Sequence, residues 1–328
     1  MDRFIGKKKE NPKIVVVGGG TGLSVLLRGL KEHTDNITAI VTVADDGGSS
    51  GRLRQDLGIL PPGDIRSCLI ALANTEPTME KLLQYRFTEG TLKGQSFGNL
   101  FIAAMNEIYG NFEMAIKETS NVLSITGKVL PVTLDNVSLI AHLDDGSMVE
   151  GESRIPEVVR EKKARIERIT MKPEMSYPLK ESLKSITDAD LIVLGPGSLY
   201  TSIVPNLLVR NMVEYIDKAK APVVYICNVM TQPGETDNYT VTDHLHGIIK
   251  HSHEGFVDYV IANVEKVPGN VRKRYELDGA TPVTPQKGEA KELKKRKIKL
   301  IEEKLIEVEG DYVRHDTERL SEMLMDLV

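Results

Sequence analysis

Between Asp45 and Arg54 the chain reads Asp-Asp-Gly-Gly-Ser-Ser-Gly-Arg-Leu-Arg: two carboxylates, three glycines, two hydroxyls and two guanidiniums in ten residues. Neither a core nor an ordinary surface loop requires that mixture. Gly47, Gly48 and Gly51 let backbone N–H groups approach an anion closely, and Ser49 and Ser50 add hydroxyl donors. Arg52 and Arg54 match two phosphate oxygens at once, and Asp45 and Asp46 suit a hard, oxygen-seeking cation such as magnesium. The pattern reads as a phosphate-and-metal site.

The elements that must hold it follow from hydrophobic spacing. Ile37–Val43 is an apolar strand running into the Asp45 loop. Upstream, Lys13–Val17 runs into Gly18-Gly19-Gly20-Thr21-Gly22, followed by Leu23, Leu26, Leu27 and Leu30 at the spacing of a half-buried helix. Strand, glycine turn and helix form an anion site, because a helix N-terminus offers free N–H groups and partial positive charge. In an open doubly wound sheet the loops after neighbouring parallel strands share one crevice, so the two motifs are expected to face one ligand. A dinucleotide fingerprint needs glycine at position 23, where Leu23 stands, and no Gly-Lys-Ser/Thr completes a P-loop.

Net charge of −5 gives no general basic footprint for nucleic acid. Cys68 and Cys227 sit in apolar segments without metal-like spacing and read as buried thiols of a reducing compartment. No signal-peptide pattern or membrane-length apolar run is present, so the sequence reads as cytoplasmic with no transmembrane segment. Residues 1–12 read as a solvated tail, and 13–328 as one domain with a β-rich insertion at about 127–171 containing a hairpin around Asp144-Asp145-Gly146. Strands at 190–194, 222–226 and 257–262 lack alternation, as parallel strands covered on both faces do. The expected fold is α/β: a doubly wound, mostly parallel, Rossmann-like sheet with helices on both faces.

Six motifs in order, Gly-Gly-Gly-Thr-Gly-Leu-Ser, the Asp45 run, Pro-Gly-Asp-Ile-Arg, Ser-Phe-Gly-Asn-Leu, Gly-Pro-Gly-Ser-Leu-Tyr-Thr-Ser and Asn-Val-Met-Thr-Gln-Pro-Gly-Glu-Thr, resemble the YvcK proteins, the gluconeogenesis factors. The resemblance runs from about residue 13 to the C-terminus. YvcK proteins are similar to CofD, the 2-phospho-L-lactate transferase of deazaflavin coenzyme synthesis. That enzyme moves a phospholactyl group from a nucleoside diphosphate-linked donor to a deazaflavin hydroxyl, using a divalent metal. The YvcK branch is associated with binding UDP-sugars such as UDP-N-acetylglucosamine, and with cell shape and cell-wall synthesis on gluconeogenic carbon sources. The resemblance implies a nucleotide site and leaves two readings open: a regulatory nucleotide-sugar binder acting through a protein partner, or a phosphotransferase. The absence of Trp and the presence of only six Phe favour the binder, since no obvious stacking platform for a deazaflavin exists.

Each candidate has a competing structural role. Asp45 and Asp46 either hold magnesium against a diphosphate or fix the Gly47-Gly48 turn. Asp64 is a second metal or substrate ligand, or a helix N-cap; these three aspartates are also the candidate catalytic groups. Arg52, Arg54 and Arg66 clamp phosphate, or pair with Asp45, Asp46 or Asp56. Ser96 and Asn99 donate to phosphate or cap a helix. Gly195, Gly197, Ser198 and Thr201 form another anion turn beside Asn228, with Ser198 an expected N-cap and Thr231–Thr236 expected to be mobile over the site. His244, His246, His251 and His253 lack metal spacing, and Lys291–Lys299 reads as a solvated face. Arg314 is expected to reach a UDP-sugar. Either Asp316 or Thr317 caps the last helix, and Arg314 three residues before Thr317 is a basophilic Ser/Thr kinase pattern. A homodimer is the default oligomer.

Overall fold

A computed structural model describes residues 9–328. Most of the expected tail lies outside the described residues, but from Lys9 onward the chain is tied down. Lys9 Nζ meets Asp190 at 2.6 Å, and Asn11 Oδ1 accepts from Thr34 Oγ1 at 2.7 Å.

Valine and isoleucine stiffness at χ1 favours extended runs, and those runs form the strands. They are β1 (Ile14–Gly18), β2 (Ile37–Val41), β3 (Lys128–Pro131), β4 (Ser138–Leu143), β5 (Met148–Glu150), β6 (Ile166–Lys172), β7 (Leu191–Leu194), β8 (Val223–Ile226), β9 (Tyr259–Asn263), β10 (Lys299–Glu303), β11 (Ile306–Glu309) and β12 (Tyr312–His315). Seven of them make one parallel sheet in the order β10-β9-β8-β7-β1-β2-β3. Every residue of β1, β2, β7 and β8 is buried, the mark of strands covered on both faces. The chain winds outward from β1 through β2 to β3, then returns to β7 and winds the other way. The switch point therefore lies between the carboxyl ends of β1 and β7, where doubly wound sheets bind ligands.

Three helices frame that point: α1 (Gly20–Leu30), α2 (Gly48–Leu57) and α3 (Gly63–Leu72). Leu23, Leu26, Leu27 and Leu30 of α1 are almost wholly buried, each worth on the order of 2 kcal/mol, so the helix that carries the glycine turn is firmly seated.

The insertion is narrower than 127–171. Lys128–Pro131 pairs parallel with β2 and closes the main sheet, because β-like composition does not reveal which sheet a short strand joins. The remaining strands form a three-stranded antiparallel sheet, β5-β4-β6, with the expected hairpin joining β4 and β5. The helix expected from Ser198 to about Lys218 is broken into a π-helical turn (Leu199–Ile203) and two helices (Val204–Leu208 and Met212–Lys218), with Asn211 at φ +65° between the last two. Among the described residues no helix is long and apolar enough to cross a membrane.

Candidate functional site

The two glycine turns at the switch point pack directly on each other. A Cβ added to Gly22 would stand 2.9 Å from Pro196 O, and one on Gly197 would stand 3.0 Å from Gly19 O. Gly20, at φ +71°, opens α1 in a conformation that penalises other residues. Backbone amides are thereby brought to one place from β1 and β7 alike.

Asp64 reaches this place from the first turn of α3. A Cβ on Gly19 would come within 2.6 Å of Asp64 Oδ2, and the Gly20 amide hydrogen-bonds the carboxylate. Asp64 is therefore not the cap of α3; Ser50 Oγ takes that part by accepting from Gly63 N at 3.1 Å. Burial first, and Asp45 second, push the Asp64 carboxyl up to about 6. Asp45 fixes its own turn by accepting from Gly47 N at 2.9 Å, while its other oxygen lies 3.0 Å from where a Gly63 Cβ would be. The aspartate loop and the triple-glycine bend thus share one crevice.

Much of the rest of the Asp45–Arg54 run is bonded internally. Asp46 accepts from Glu152 N at 3.0 Å and Ser153 N at 2.9 Å, stapling the insertion to the main sheet. Ser49 Oγ donates to Gln95 at 2.6 Å and accepts from Ser96 N and Asn99 Nδ2. Arg52 is exposed on the Lys93 carbonyl, and Gly48 meets nothing within 4 Å. Arg54 donates to Val137 O, and burial lowers its pKa against the pull of Asp46 and Asp45. Arg66 donates to Ser96 Oγ; burial and nearby Arg86 lower its pKa, while Asp64 and Asp45 raise it. Within this group Asp45, Asp64 and Arg66 are the residues whose charges meet at the glycine bend.

Two carboxyls that the sequence reading missed complete the crevice. Glu235 is 3% exposed and accepts from Tyr200 N (3.2 Å), Thr201 Oγ1 (3.0 Å) and Gln232 Nε2 (2.6 Å). Ser198 Oγ donates to Gln232 at 2.6 Å, so Ser198 is a cross-link, and its side chain caps no helix. Burial raises the Glu235 carboxyl to about 7. The segment 231–236, expected to be mobile, is instead largely buried and tied to the second glycine turn, with Thr231 N also donating to Thr281 O at 2.8 Å. Glu152, from the insertion, is raised to about 8 by burial and then by Asp45, Glu235, Asp46 and Asp64. Pro-Gly-Glu in the loop after β8 was the available signal for Glu235; nothing local marks Glu152.

Beside the glycine turns lies a cavity of about 400 Å³ whose lining includes Gly22, Gly197, Asn228, Gln232, Tyr275 and Arg314. Asn228 Oδ1 is buried without a hydrogen-bond partner. Arg314 stacks over Tyr312 at 5.1 Å. Its neighbour His315, held to about 4 by burial, donates Nε2–H to Cys227 O. Thr21 opens α1 on the exposed side. Asp316 caps the last helix by accepting from Arg319 N, and Thr317 is half-buried against Gly29 of α1. The four clustered histidines serve separate local roles. His251 accepts from Ile169 N and donates to Gly247 O, tying β6 to helix Val241–Lys250.

The family model described as 2-phospho-L-lactate transferase CofD matches residues 14–306. The chain belongs to the CofD family. Within the family it is similar to the gluconeogenesis factor of Bacillus subtilis, 50% identical over 97% of this chain and 99% of that one. The gluconeogenesis factor of Halalkalibacterium halodurans is 47% identical over 97% of each chain. These likenesses place the CofD-family chain in the YvcK branch that its motifs resemble. A crystal structure of a Bacillus halodurans protein, 46% identical, superposes with a TM-score of 0.92 over 96% of this chain and 99% of that one.

Proposed function

We propose that this CofD-family chain is a regulatory protein that binds a UDP-sugar of the UDP-N-acetylglucosamine kind. The observation that carries the reading is the meeting of two glycine turns at the switch point, beside a cavity holding Asn228 and Arg314. The amides of Gly20–Gly22 and Gly197 suit a diphosphate. The cavity, with the Tyr275 ring, the Arg314 guanidinium and the unpartnered Asn228 oxygen, suits the nucleoside half.

Among the described residues no three His, Cys, Asp or Glu side chains are grouped to hold a metal. Magnesium commonly takes one or two carboxylates and completes its shell with phosphate oxygens and water, so this donor set fits an ion shared with the ligand. Asp45 and Asp64 are the residues that would hold it; Asp46, engaged by two backbone amides, is not. The ion would offset repulsion between the diphosphate and the carboxyls of the crevice.

Calorimetric titration of the full chain with UDP-N-acetylglucosamine, UDP-glucose and GDP, with and without magnesium, tests the reading. Binding of the UDP-sugars without turnover is expected, and absence of binding overturns it. The family model's transferase description supports a second reading, a phosphotransferase with a nucleoside diphosphate-linked donor, for which release of UMP or GMP on adding an acceptor would be decisive. In the regulatory reading the signal passes to a protein partner in cell-wall synthesis. Thr317, where the cavity strand β12 meets the last helix, is the proposed kinase site; mass spectrometry finding it unmodified in every growth condition removes that point.

A further inference from the structure

The first residues after β5 are wedged between two loops of the crevice. On one side Asp46 holds the Glu152 and Ser153 amides, and a Cβ on Gly47 would lie 3.4 Å from Ser153 Cβ. On the other side Gly234, at φ +82°, is pressed so close to Pro156 that an added Cβ would overlap the Pro156 carbonyl. The insertion therefore delivers Glu152 between the Asp45–Gly48 loop and the Gln232–Glu235 loop. Its carboxyl has no hydrogen-bond partner among the described residues, and the charges that bear on it, from Asp45, Glu235, Asp46 and Asp64, are all acidic. A half-buried carboxyl without a partner is costly unless something else bonds it. A second orphan lies in the same crevice: the Thr42 hydroxyl, on a residue 3% exposed whose methyl group touches Gly19 next to Asp64, is unpartnered.

The ligand chemistry that fits is neutral and hydroxyl-rich. A phosphate would be repelled by this carboxyl and its neighbours, whereas the oxygens of Glu152 accept from a hydroxyl in either protonation state. In a nucleotide sugar whose phosphates lie on the glycine turns, the glycosyl group is the part that answers this description. We infer that Glu152 is a specificity residue that reads the glycosyl hydroxyls of the bound nucleotide sugar, so that the β-rich insertion selects the sugar. This rests on the nucleotide-sugar reading above.

The test compares UDP-N-acetylglucosamine with UDP on the full-length wild-type chain, Glu152→Ala and Glu152→Gln, by calorimetry with magnesium present. The wild type is expected to bind the sugar nucleotide more tightly than UDP. Glu152→Ala should weaken the sugar nucleotide about 10-fold, the size of a lost hydrogen bond to a charged group, and leave UDP within about twofold. Glu152→Gln, which keeps an acceptor and a donor, should recover part of the loss. Folding is protected because the bond to Asp46 comes from the Glu152 backbone N–H, and the unfolding midpoint of either variant should match or exceed the wild type. Equal weakening of both ligands, no weakening of either, or a wild type without preference for the sugar nucleotide overturns the inference while leaving nucleotide binding intact. A wild type that binds neither ligand removes the nucleotide-sugar reading, and this inference with it.

Discussion

On the α2–α3 bank of the crevice, Ser49, Ser50 and Asp46 each bond protein groups that would otherwise be orphaned. Across the glycine turns, Asn228 Oδ1 is left without a partner and Arg314 lines an open cavity. The first bank is dense with ligand-like residues in one short run. The second gathers fewer of them from segments as far apart as Gly22, Asn228, Tyr275 and Arg314. A polar, glycine-rich motif therefore measures how many backbone and side-chain groups must be satisfied locally. The groups left for a ligand are found where distant segments converge.

Substitutions on the two banks should separate stability from binding. The largest effect is expected at Gly51, where a Cβ would overlap the Asp46 carbonyl. Gly51→Ala should cost about 3 kcal/mol in denaturant unfolding, and an unchanged midpoint would show that the aspartate turn is not tightly packed. Arg314→Ala should leave the unfolding midpoint in place and weaken UDP about 10-fold, the loss of a charge-assisted bond to phosphate. If that variant instead unfolds early and binds normally, the contrast between the banks is lost.

A pH series addresses the junction of the two banks. Asp64, Glu152 and Glu235 have folded pKa values raised to about 6, 8 and 7. Each therefore contributes stability that is complete below its unfolded pKa of about 4.3 or less and is lost as pH rises through the folded value. Thermal midpoints should fall between about pH 5 and 8, and Glu152→Gln should flatten the upper part of that fall. A midpoint that rises through this window would mean the three carboxyls are compensated by cations. Smallest of all, Arg52→Ala should shift stability by no more than about 0.5 kcal/mol and leave UDP affinity unmoved, since its guanidinium is exposed on a backbone carbonyl.

The sheet was legible because its strands are buried on every residue and read as unbroken apolar runs, and because α1 carries leucines at a helical period. The convergence of the two glycine turns followed from doubly wound topology. Less legible was the allegiance of Lys128–Pro131, since strand propensity does not name a partner strand. The break at Asn211 depends on one left-handed residue that spacing does not reveal. Glu152 could not be found from sequence. Its place depends on Asp46, 106 residues earlier, holding its amide and on Gly234 admitting the Pro156 carbonyl. Glu235 was hidden by the loop composition around it, which suggests motion where buried side-chain bonds in fact hold the segment.

The most direct measurement is a crystal structure of the full chain with UDP and magnesium. The diphosphate should lie across the amides of Gly20–Gly22 and Gly197, with the nucleoside in the cavity of Asn228, Tyr275 and Arg314. Phosphates found away from both glycine turns, for example on Arg52 and Lys93 at the outer surface, would contradict the account.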